Sequence, residues 1–263
     1  MSAEAVAVPT HRAAPGRVFV HQLRAEQLVF WRSREAAFFI FLFPLLLFVL
    51  LGSVYSGKIY GLPAPQALLA GLMGYGCANT AFAGLAIQLV LRRESAILKR
   101  LRATPLPAAT YIAALLVSTL VVFALQTIAL FLLGRAIYGT PFPSAAGSLV
   151  IAVVLGAAVF AALGTAIAAV IRSGEGSSAV VNFVLLPMAF LTGSFGPTRH
   201  YPSVLRAIGD VLPLKYFVDL VNAVYLHGKG FWTQPEALAV LGAWGLAGLV
   251  FAVFKFRWEP REH

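Results

Sequence analysis

Six long apolar segments restrict the fold that this chain can adopt. They cover approximately residues 36–56, 66–91, 110–134, 147–171, 179–195 and 235–256. A helix needs about 20 predominantly apolar residues to cross the hydrocarbon core of a bilayer. The pattern therefore predicts an all-α integral membrane protein in which residues 36–256 form one domain of six transmembrane helices.

The composition excludes a soluble protein and a metal centre. Of the 263 residues 60% are hydrophobic and only 11% are charged, whereas soluble domains carry about 25% charged residues. The single cysteine, Cys77, excludes a disulfide within the chain and a multi-cysteine metal site, and the five histidines lack ligand spacing. The first apolar segment exceeds the hydrophobic part of a signal peptide, so we expect it to be retained.

The basic residues are distributed unevenly between the loops. If the N-terminus is cytoplasmic, fourteen of the 20 Lys and Arg residues lie on the cytoplasmic side and six on the other, as the positive-inside rule requires. We therefore expect both termini in the cytoplasm. The net charge of +10 follows from this placement and needs no nucleic-acid partner, although it favours anionic lipid headgroups. The Ala-, Gly- and Arg-rich composition suggests a high-GC bacterium, whose cytoplasmic membrane would hold the chain.

The residues before the first span predict a tail and a surface helix. Residues 1–16 and 257–263 are expected to be cytoplasmic tails, the first of them disordered. Residues 17–35 predict an amphipathic helix on the membrane surface, because five apolar side chains fall within one arc at helical spacing. These side chains are Phe19, Val20, Leu23, Phe30 and Trp31. A generic basic anchor before the first span remains the alternative interpretation.

A short basic segment, residues 92–103, separates the second and third spans. Helical spacing places Ile97, Leu98 and Leu101 on one face and the basic residues largely on the other. The segment ends at Thr104-Pro105, since proline disfavours a helical residue before it. A stop-transfer loop would explain the positive charge, but it needs neither an apolar face nor an acid. We therefore predict a short amphipathic helix that passes force to a soluble partner.

Two motifs carry a resemblance to a known family. Glu94 followed by ILKRLRATPLP resembles the intracellular loop of ABC-2 type permeases, most closely in the daunorubicin-exporter-like branch. The stretch TGSFGPTRHYPSVLRAIGDVLPLKY resembles the family's segment between the last two spans. The sequence departs from the pattern at Arg199, where relatives often carry an acid, and at Asn222, where they often carry an arginine. The substrate of a relative therefore does not transfer directly.

The resemblance implies a permease that is driven by a separate ATPase. It implies two ATPase subunits, a second permease subunit that is either identical or a paralogue, and ATP and Mg only in the ATPase. The sequence itself contains no Gly-x-x-x-x-Gly-Lys-Ser/Thr phosphate loop. Coupling to the ATPase would fall to Arg93, Glu94, Ile97, Leu98, Lys99, Arg100, Leu101 and Arg102. An acid at that depth needs a partner, and we expect Glu94 to pair with Arg32 or Arg34.

The second and fifth predicted spans carry the candidate substrate pathway, which the resemblance places between them at a two-fold axis. The pathway residues are Asn79, Phe82, Asn182, Phe183, Met188 and Phe190. A wall of aromatic and Met side chains with one or two amides suits apolar or amphipathic molecules. The alternative is that the amides only join helices through hydrogen bonds and the aromatic rings only pack or face lipid.

Residues 196–234 are expected to form an outer lid of two short re-entrant or interfacial helices. Its candidate residues are Pro197, Pro202, Pro213 and Tyr216. The favoured function is the permease subunit of an exporter for hydrophobic or amphipathic small molecules. Export of lipid-linked polysaccharide or lipid, and a non-transport six-span scaffold, remain alternatives. A proton- or sodium-driven transporter is disfavoured, because the spans contain no clear acid or lysine.

Overall fold

The computed structural model describes residues 15–256 apart from Ser56, Tyr60 and Pro105. Helices account for most of them. They are α1 (Pro15–Arg32), α2 (Arg34–Val54), α3 (Ala64–Glu94), α4 (Ile97–Arg102), α5 (Ala108–Tyr138), α6 (Ala146–Val170), α7 (Ser177–Leu191), α8 (Ser203–Val211), α9 (Pro213–Tyr225) and α10 (Pro235–Lys255). A 3₁₀ turn, Phe231–Thr233, precedes α10, and strands β1 (Lys58–Ile59) and β2 (Leu62–Pro63) form an antiparallel hairpin between α2 and α3.

Five of these helices are long and apolar enough to cross a membrane: α2, α3, α5, α6 and α10. The sixth predicted span, 179–195, corresponds to α7, which has only 15 residues. At about 1.5 Å per residue α7 is about 22 Å long, against about 30 Å of hydrocarbon. The described residues therefore form a predominantly helical membrane protein with five candidate spans and one shorter apolar helix.

The N-terminal surface helix differs in its limits from the prediction. It already includes Pro15 and Gly16, which we had assigned to a disordered tail, and it ends at Arg32 rather than at residue 35. Ser33 adopts an extended conformation and its hydroxyl accepts a hydrogen bond from the Ala36 amide at 3.4 Å, as N-cap residues do. The predicted tails at residues 1–14 and 257–263 lie outside the described residues.

Two π-helical stretches lie within α2 and α3, and side-chain hydrogen bonds connect neighbouring helices there. Residues 37–42 of α2 and 78–84 of α3 are wound in this wider form, which often occurs at functional sites. The Asn79 amide donates to the Phe39 carbonyl at 2.8 Å, and the Gln126 amide of α5 donates to the Ile40 carbonyl at 2.6 Å. Side-chain amides from α3 and α5 thus bind the backbone of α2 where its helical hydrogen bonding is irregular.

Helix α3 forms the centre of the bundle. It is the most buried of the five candidate spans, and its neighbours include α2, α5, α6, α7 and α9. A Cβ atom on Gly74 of α3 would lie 2.4 Å from Val218 of α9, so the glycine allows close contact between these helices. The core therefore surrounds the helix that leads directly to the basic segment.

Helices α8 and α9 form a hairpin at the end of the bundle opposite α4. Pro213 occupies the first turn of α9, where its missing N–H costs no hydrogen bond. Phe217 of α9 packs against Phe160 and Gly156 of α6, and Val218 contacts Gly74, about 15 Å along α3 from its start. Helix α9 thus enters the bundle, whereas α8 is exposed except at Gly209.

Candidate coupling site and transport pathway

The basic segment is shorter than predicted, because the chain turns at Ala96. Arg93 and Glu94 belong to the last turn of α3, and α4 contains only Ile97–Arg102. The prediction of one continuous helix over 92–103 is therefore wrong. Ala96 has φ 56°, the one positive φ among the non-glycine residues that the structure describes. A left-handed alanine is strained, and it allows α4 to leave the axis of α3.

The predicted apolar face of α4 is divided between the core and the surface. Leu98 is fully buried and Leu101 is partly buried, whereas Ile97 is 43% exposed. Lys99 and Arg100 are exposed, and the side chain of Arg102 lies outside the described part of the chain. Leu98 therefore anchors α4 to the bundle, while Ile97, Lys99 and Arg100 are presented outward.

Arg93, predicted to contact a partner, binds inside its own subunit. Its side chain is 2% exposed. Its guanidinium donates to the Ala168 carbonyl at 2.9 Å and to the Ile171 carbonyl. The last carbonyls of a helix lack backbone partners and carry a partial negative charge, and Arg93 satisfies them at the end of α6. Its role is therefore to fasten α3 to α6.

Glu94 also binds within the subunit, to the loop between α6 and α7. Its carboxylate accepts a hydrogen bond from the Gly174 amide at 2.7 Å. The expected ion pair with Arg32 or Arg34 is therefore wrong. The sequence offered no local signal for this contact, because Gly174 lies 80 residues further along the chain.

The ion pair between the N-terminal helix and α3 has its acid on α1 and its base on α3, which is the reverse of the predicted pair between Glu94 and an N-terminal arginine. Glu26 of α1 pairs with Arg92 of α3 at 2.5 Å, and both side chains are largely buried. Arg92 also donates to the Tyr111 hydroxyl of α5 at 2.6 Å, and Gln22 donates to Glu26 at 2.8 Å. This cluster, called here the α1 latch (Gln22, Glu26, Arg92 and Tyr111), joins three helices directly before the coupling segment.

Glu26 is not among the predicted site residues, although its position in the sequence carries a signal. At 100° per residue Glu26 lies between Phe19, Leu23 and Phe30 on the predicted apolar face. An acid inside such a face requires a buried partner. The same face carries Gln27, whose amide donates to Ser118 of α5 at 2.8 Å. Helix α1 is thus bound to α5 through polar contacts as well as apolar packing.

The candidate pathway residues fall into two groups. Asn79, Phe82 and Met188 are buried within the subunit, and Asn79 joins α2 to α3 as described above. Phe183 is 81% exposed and Phe190 is 53% exposed on the face of α7 that points away from the bundle. Asn182 is exposed there too, and its amide donates to Ser178 of the same helix. The six residues do not line one cavity inside a single subunit.

The candidate lid residues lie around the α8–α9 hairpin. Pro202 precedes α8, Pro213 begins α9 and Pro197 is partly buried before α8. The Tyr216 hydroxyl donates to the Asp210 carbonyl at 2.9 Å. Pro213 and Tyr216 thus stabilise the turn between the two helices.

A cavity of about 700 Å³ lies between this hairpin, the β-hairpin and the ends of α3 and α7. Its charged lining residues are Arg206, Asp210, Lys215 and Asp219. Lys215 forms an ion pair with Asp210, and this hydrogen bond raises the pKa of Lys215. Asp219 lines the cavity, and its side chain is exposed there. The protein around it reduces the hydration of the carboxylate, and this desolvation raises the pKa of the carboxyl group. The outer end therefore combines polar groups with apolar walls.

Comparison with known proteins decides between a permease and an unrelated helical bundle. The family model for the ABC-2 type transporter matches residues 18–226, which is 209 of 263 residues. The chain belongs to the ABC-2 type transporter family. The matched part of this ABC-2 chain extends from α1 through α4 to the end of α9, so it includes both the basic segment and the hairpin.

Relatives carry the name of a transport permease. The chain is 26% identical over 173 residues to the inner membrane transport permease YhhJ of Escherichia coli K12. The YhhJ protein of Shigella flexneri gives the same identity over the same length. These matches cover 64% of this chain and 46% of each relative, so the chain spans about half the length of the relatives it matches. The family match and the relatives' names thus agree in pointing to the ABC-2 type transporter family.

Proposed function

We propose that this ABC-2 chain is the membrane subunit of an exporter and that a separate ATPase binds at α4. The exposed surface of α4 carries the proposal: Ile97, Lys99 and Arg100 face outward from a helix whose Leu98 is fully buried. An exposed apolar side chain beside two cations is a suitable contact for a groove with an acidic rim. Two ATPase subunits would supply the ATP and Mg sites.

The contacts behind α4 support the transmission of force. Arg93 and Glu94, at the end of α3, bind the end of α6 and the loop before α7. The α1 latch joins the same end of α3 to α1 and α5. Because packed elements move as units, a displacement of α4 would reach three neighbouring helices and the loop before α7 through α3.

The proposed topology places α4 in the cytoplasm of a bacterium together with both termini. The positive-inside distribution supports this orientation. Helix α7 would then be a sixth, short span that is completed by the residues after Leu191. The α8–α9 hairpin would close the outer end of the bundle, as a re-entrant lid surrounded by protein can.

The proposed substrate is a hydrophobic or amphipathic small molecule, as in the daunorubicin-exporter-like branch that the basic loop resembles. The outer face of α7 supports this class, since Phe183 and Phe190 are exposed beside the amide of Asn182. An amide facing hydrocarbon is unfavourable. This face therefore suits a pathway against a second permease subunit better than it suits lipid.

Copurification tests the proposed ATPase contact. The permease would be coexpressed with an ABC ATPase from the same genome, and the yield of complex and the rate of ATP hydrolysis would be measured in lipid. We expect Ile97→Asp to abolish copurification, because a carboxylate would be desolvated within an apolar contact. Lys99→Glu with Arg100→Glu should weaken the complex most strongly at low salt.

Ile137→Asp is the matched control, because Ile137 is 52% exposed at the opposite end of the bundle. It should bind the ATPase as the wild type does. If Ile97→Asp inserts into the membrane and still copurifies with an active ATPase, α4 is not the contact and the proposed coupling is wrong. Leu98 is unsuitable for this test, because its replacement would disturb the core.

A further inference from the structure

An apolar groove of about 730 Å³ opens on the side of the bundle between α5, α6 and α10. Small residues of α6 form part of its wall, among them Ala158 and Ala162, together with Gly242 and Gly245 of α10. Two of its lining residues carry hydroxyl groups that already have hydrogen bonds: Thr165 donates to the Ala161 carbonyl and Tyr111 accepts from Arg92. The interior of the groove therefore suits an apolar ligand.

The groove lies toward the α4 side of the bundle and ends a few residues past the midpoints of α6 and α10. On α5 it extends from Tyr111 to Leu120, on α6 from Val154 to Thr165 and on α10 from Gly242 to Phe256. At about 1.5 Å per residue these stretches measure about 14, 17 and 21 Å. One leaflet contributes about 15 Å of hydrocarbon. The stretches on α5 and α6 are close to this length and the stretch on α10 is about 6 Å longer, so the groove fits a lipid of one leaflet better than an interface that continues along whole spanning helices.

Basic residues flank the end of the groove nearest α4. Leu98 and Phe256 line this end, and the neighbouring residues Lys99 and Lys255 are both exposed. A cation at the membrane surface attracts an anionic headgroup with about 1 kcal/mol per residue. The cations would therefore lie at the level of the headgroups while the apolar groove lies below them.

We propose that this groove binds one anionic phospholipid, with an acyl chain beside Gly242 and the headgroup near Lys99 and Lys255. The charge and the single-leaflet length of the groove carry the assignment. Leu98 of α4 lies at the end wall of the groove and is fully buried, so the bound lipid would lie next to the packing that anchors the short helix without touching that side chain. The site requires only that the chain lies in a membrane, and it does not depend on an ATPase or on a substrate.

Purified permease without any ATPase provides the test. The protein would be delipidated and supplied with phosphatidylglycerol or phosphatidylcholine of identical chains, and the bound lipid would be counted by native mass spectrometry while the melting temperature is recorded. We expect one phosphatidylglycerol per subunit to be retained, with a larger rise in melting temperature than phosphatidylcholine gives.

Two helical glycines provide a matched pair of variants. A Cβ on Gly242 or on Gly147 would meet nothing within 4 Å, but only Gly242 lines the groove. Gly242→Phe should fill the groove and abolish the retained lipid and its thermal shift, whereas Gly147→Phe should keep both. Ala158→Phe fills the groove from α6 and gives an independent check if Gly242→Phe does not fold.

The headgroup is tested separately by Lys255→Gln, which should remove the preference for phosphatidylglycerol. Lys229→Gln, at the opposite end of the bundle, should retain it. The proposal is wrong if both groove-filling variants keep the lipid or if wild type retains the two lipids equally. It is equally wrong if filling the groove separates subunits instead of releasing lipid, since the groove would then be a protein interface.

Discussion

The α1 latch places a carboxylate and a guanidinium in a nearly dry site. Glu26 is 3% exposed and is held by Arg92 and Gln22. Removal of one member of a buried ion pair leaves the other charge uncompensated, at a cost of about 3–5 kcal/mol. We therefore expect Glu26→Gln to lower the free energy of unfolding by about this amount, measured by thermal or denaturant unfolding in detergent.

Glu35→Gln is the control for the latch, since Glu35 is exposed at the start of α2. It should change stability little. The double variant Glu26→Gln with Arg92→Met should recover part of the loss, because no buried charge remains unpaired. Equal stability of Glu26→Gln and Glu35→Gln would show that the latch does not stabilise the bundle.

Asp219 predicts a dependence of stability on pH. Burial raises its pKa, and Asp210 and Glu236 act in the same direction while Lys215 opposes them. A carboxyl group with a raised pKa in the folded state favours folding when it is protonated, so stability falls as pH rises through that pKa. We expect Asp219→Asn to raise the melting temperature at neutral pH, and the difference should vanish in acid.

Asp210→Asn provides the contrast to Asp219→Asn, because it removes the partner of Lys215. It should lower or leave unchanged the melting temperature at neutral pH. If the wild type and Asp219→Asn have the same melting temperature at every pH, the carboxyl group of Asp219 does not cost stability when charged.

At the scale of the helical elements, Arg93 connects the end of α3 to the end of α6. Arg93→Gln would leave the Ala168 and Ile171 carbonyls poorly satisfied, at a cost of about 1–3 kcal/mol for each buried group. We expect the end of α6 and the loop before α7 to open locally. Hydrogen exchange of the amides from Ile171 to Gly176 should accelerate.

Arg172→Gln is the matched control for Arg93→Gln, because Arg172 is exposed next to the same carbonyl groups. Its exchange pattern should resemble that of the wild type. Unchanged exchange in Arg93→Gln would mean that this guanidinium does not hold α6 in place, and the proposed path of force from α4 would lose one of its connections.

The periodic pattern of the sequence predicted most of the elements but not the contacts between them. The segments at 110–134, 147–171 and 235–256 agree with α5, α6 and α10 within a few residues, because apolar length determines such helices. The partners of Arg93 and Glu94 lie 75 to 80 residues away. No local spacing encodes such contacts, nor does it indicate the left-handed turn at Ala96.

At the scale of the whole molecule, crosslinking from the positions of two exposed phenylalanines can distinguish a subunit interface from a face that contacts lipid. Phe183 of α7 is 81% exposed and Phe254 of α10 is 80% exposed. The chain has one cysteine, the buried Cys77, so Cys77→Ala gives a background for single-cysteine labelling. With a benzophenone maleimide we expect Phe183→Cys to crosslink to a second permease subunit, whether identical or a paralogue.

Phe254→Cys should yield only lipid adducts under the same illumination. Equal capture of protein from both positions would show that α7 is not a specific interface. Capture from Phe254→Cys alone would place the second subunit against α10 and move the proposed pathway away from Asn182 and Phe190.

Crosslinking from Ile97 tests most directly whether a separate ATPase engages α4. Ile97→Cys in the Cys77→Ala background would be labelled with benzophenone in membranes that contain the coexpressed ATPase, and Ile137→Cys would be labelled in parallel. We predict an ATPase adduct from Ile97→Cys and none from Ile137→Cys. If Ile97→Cys is labelled fully and yields no ATPase adduct while the ATPase is bound to the membrane, α4 is not its docking surface.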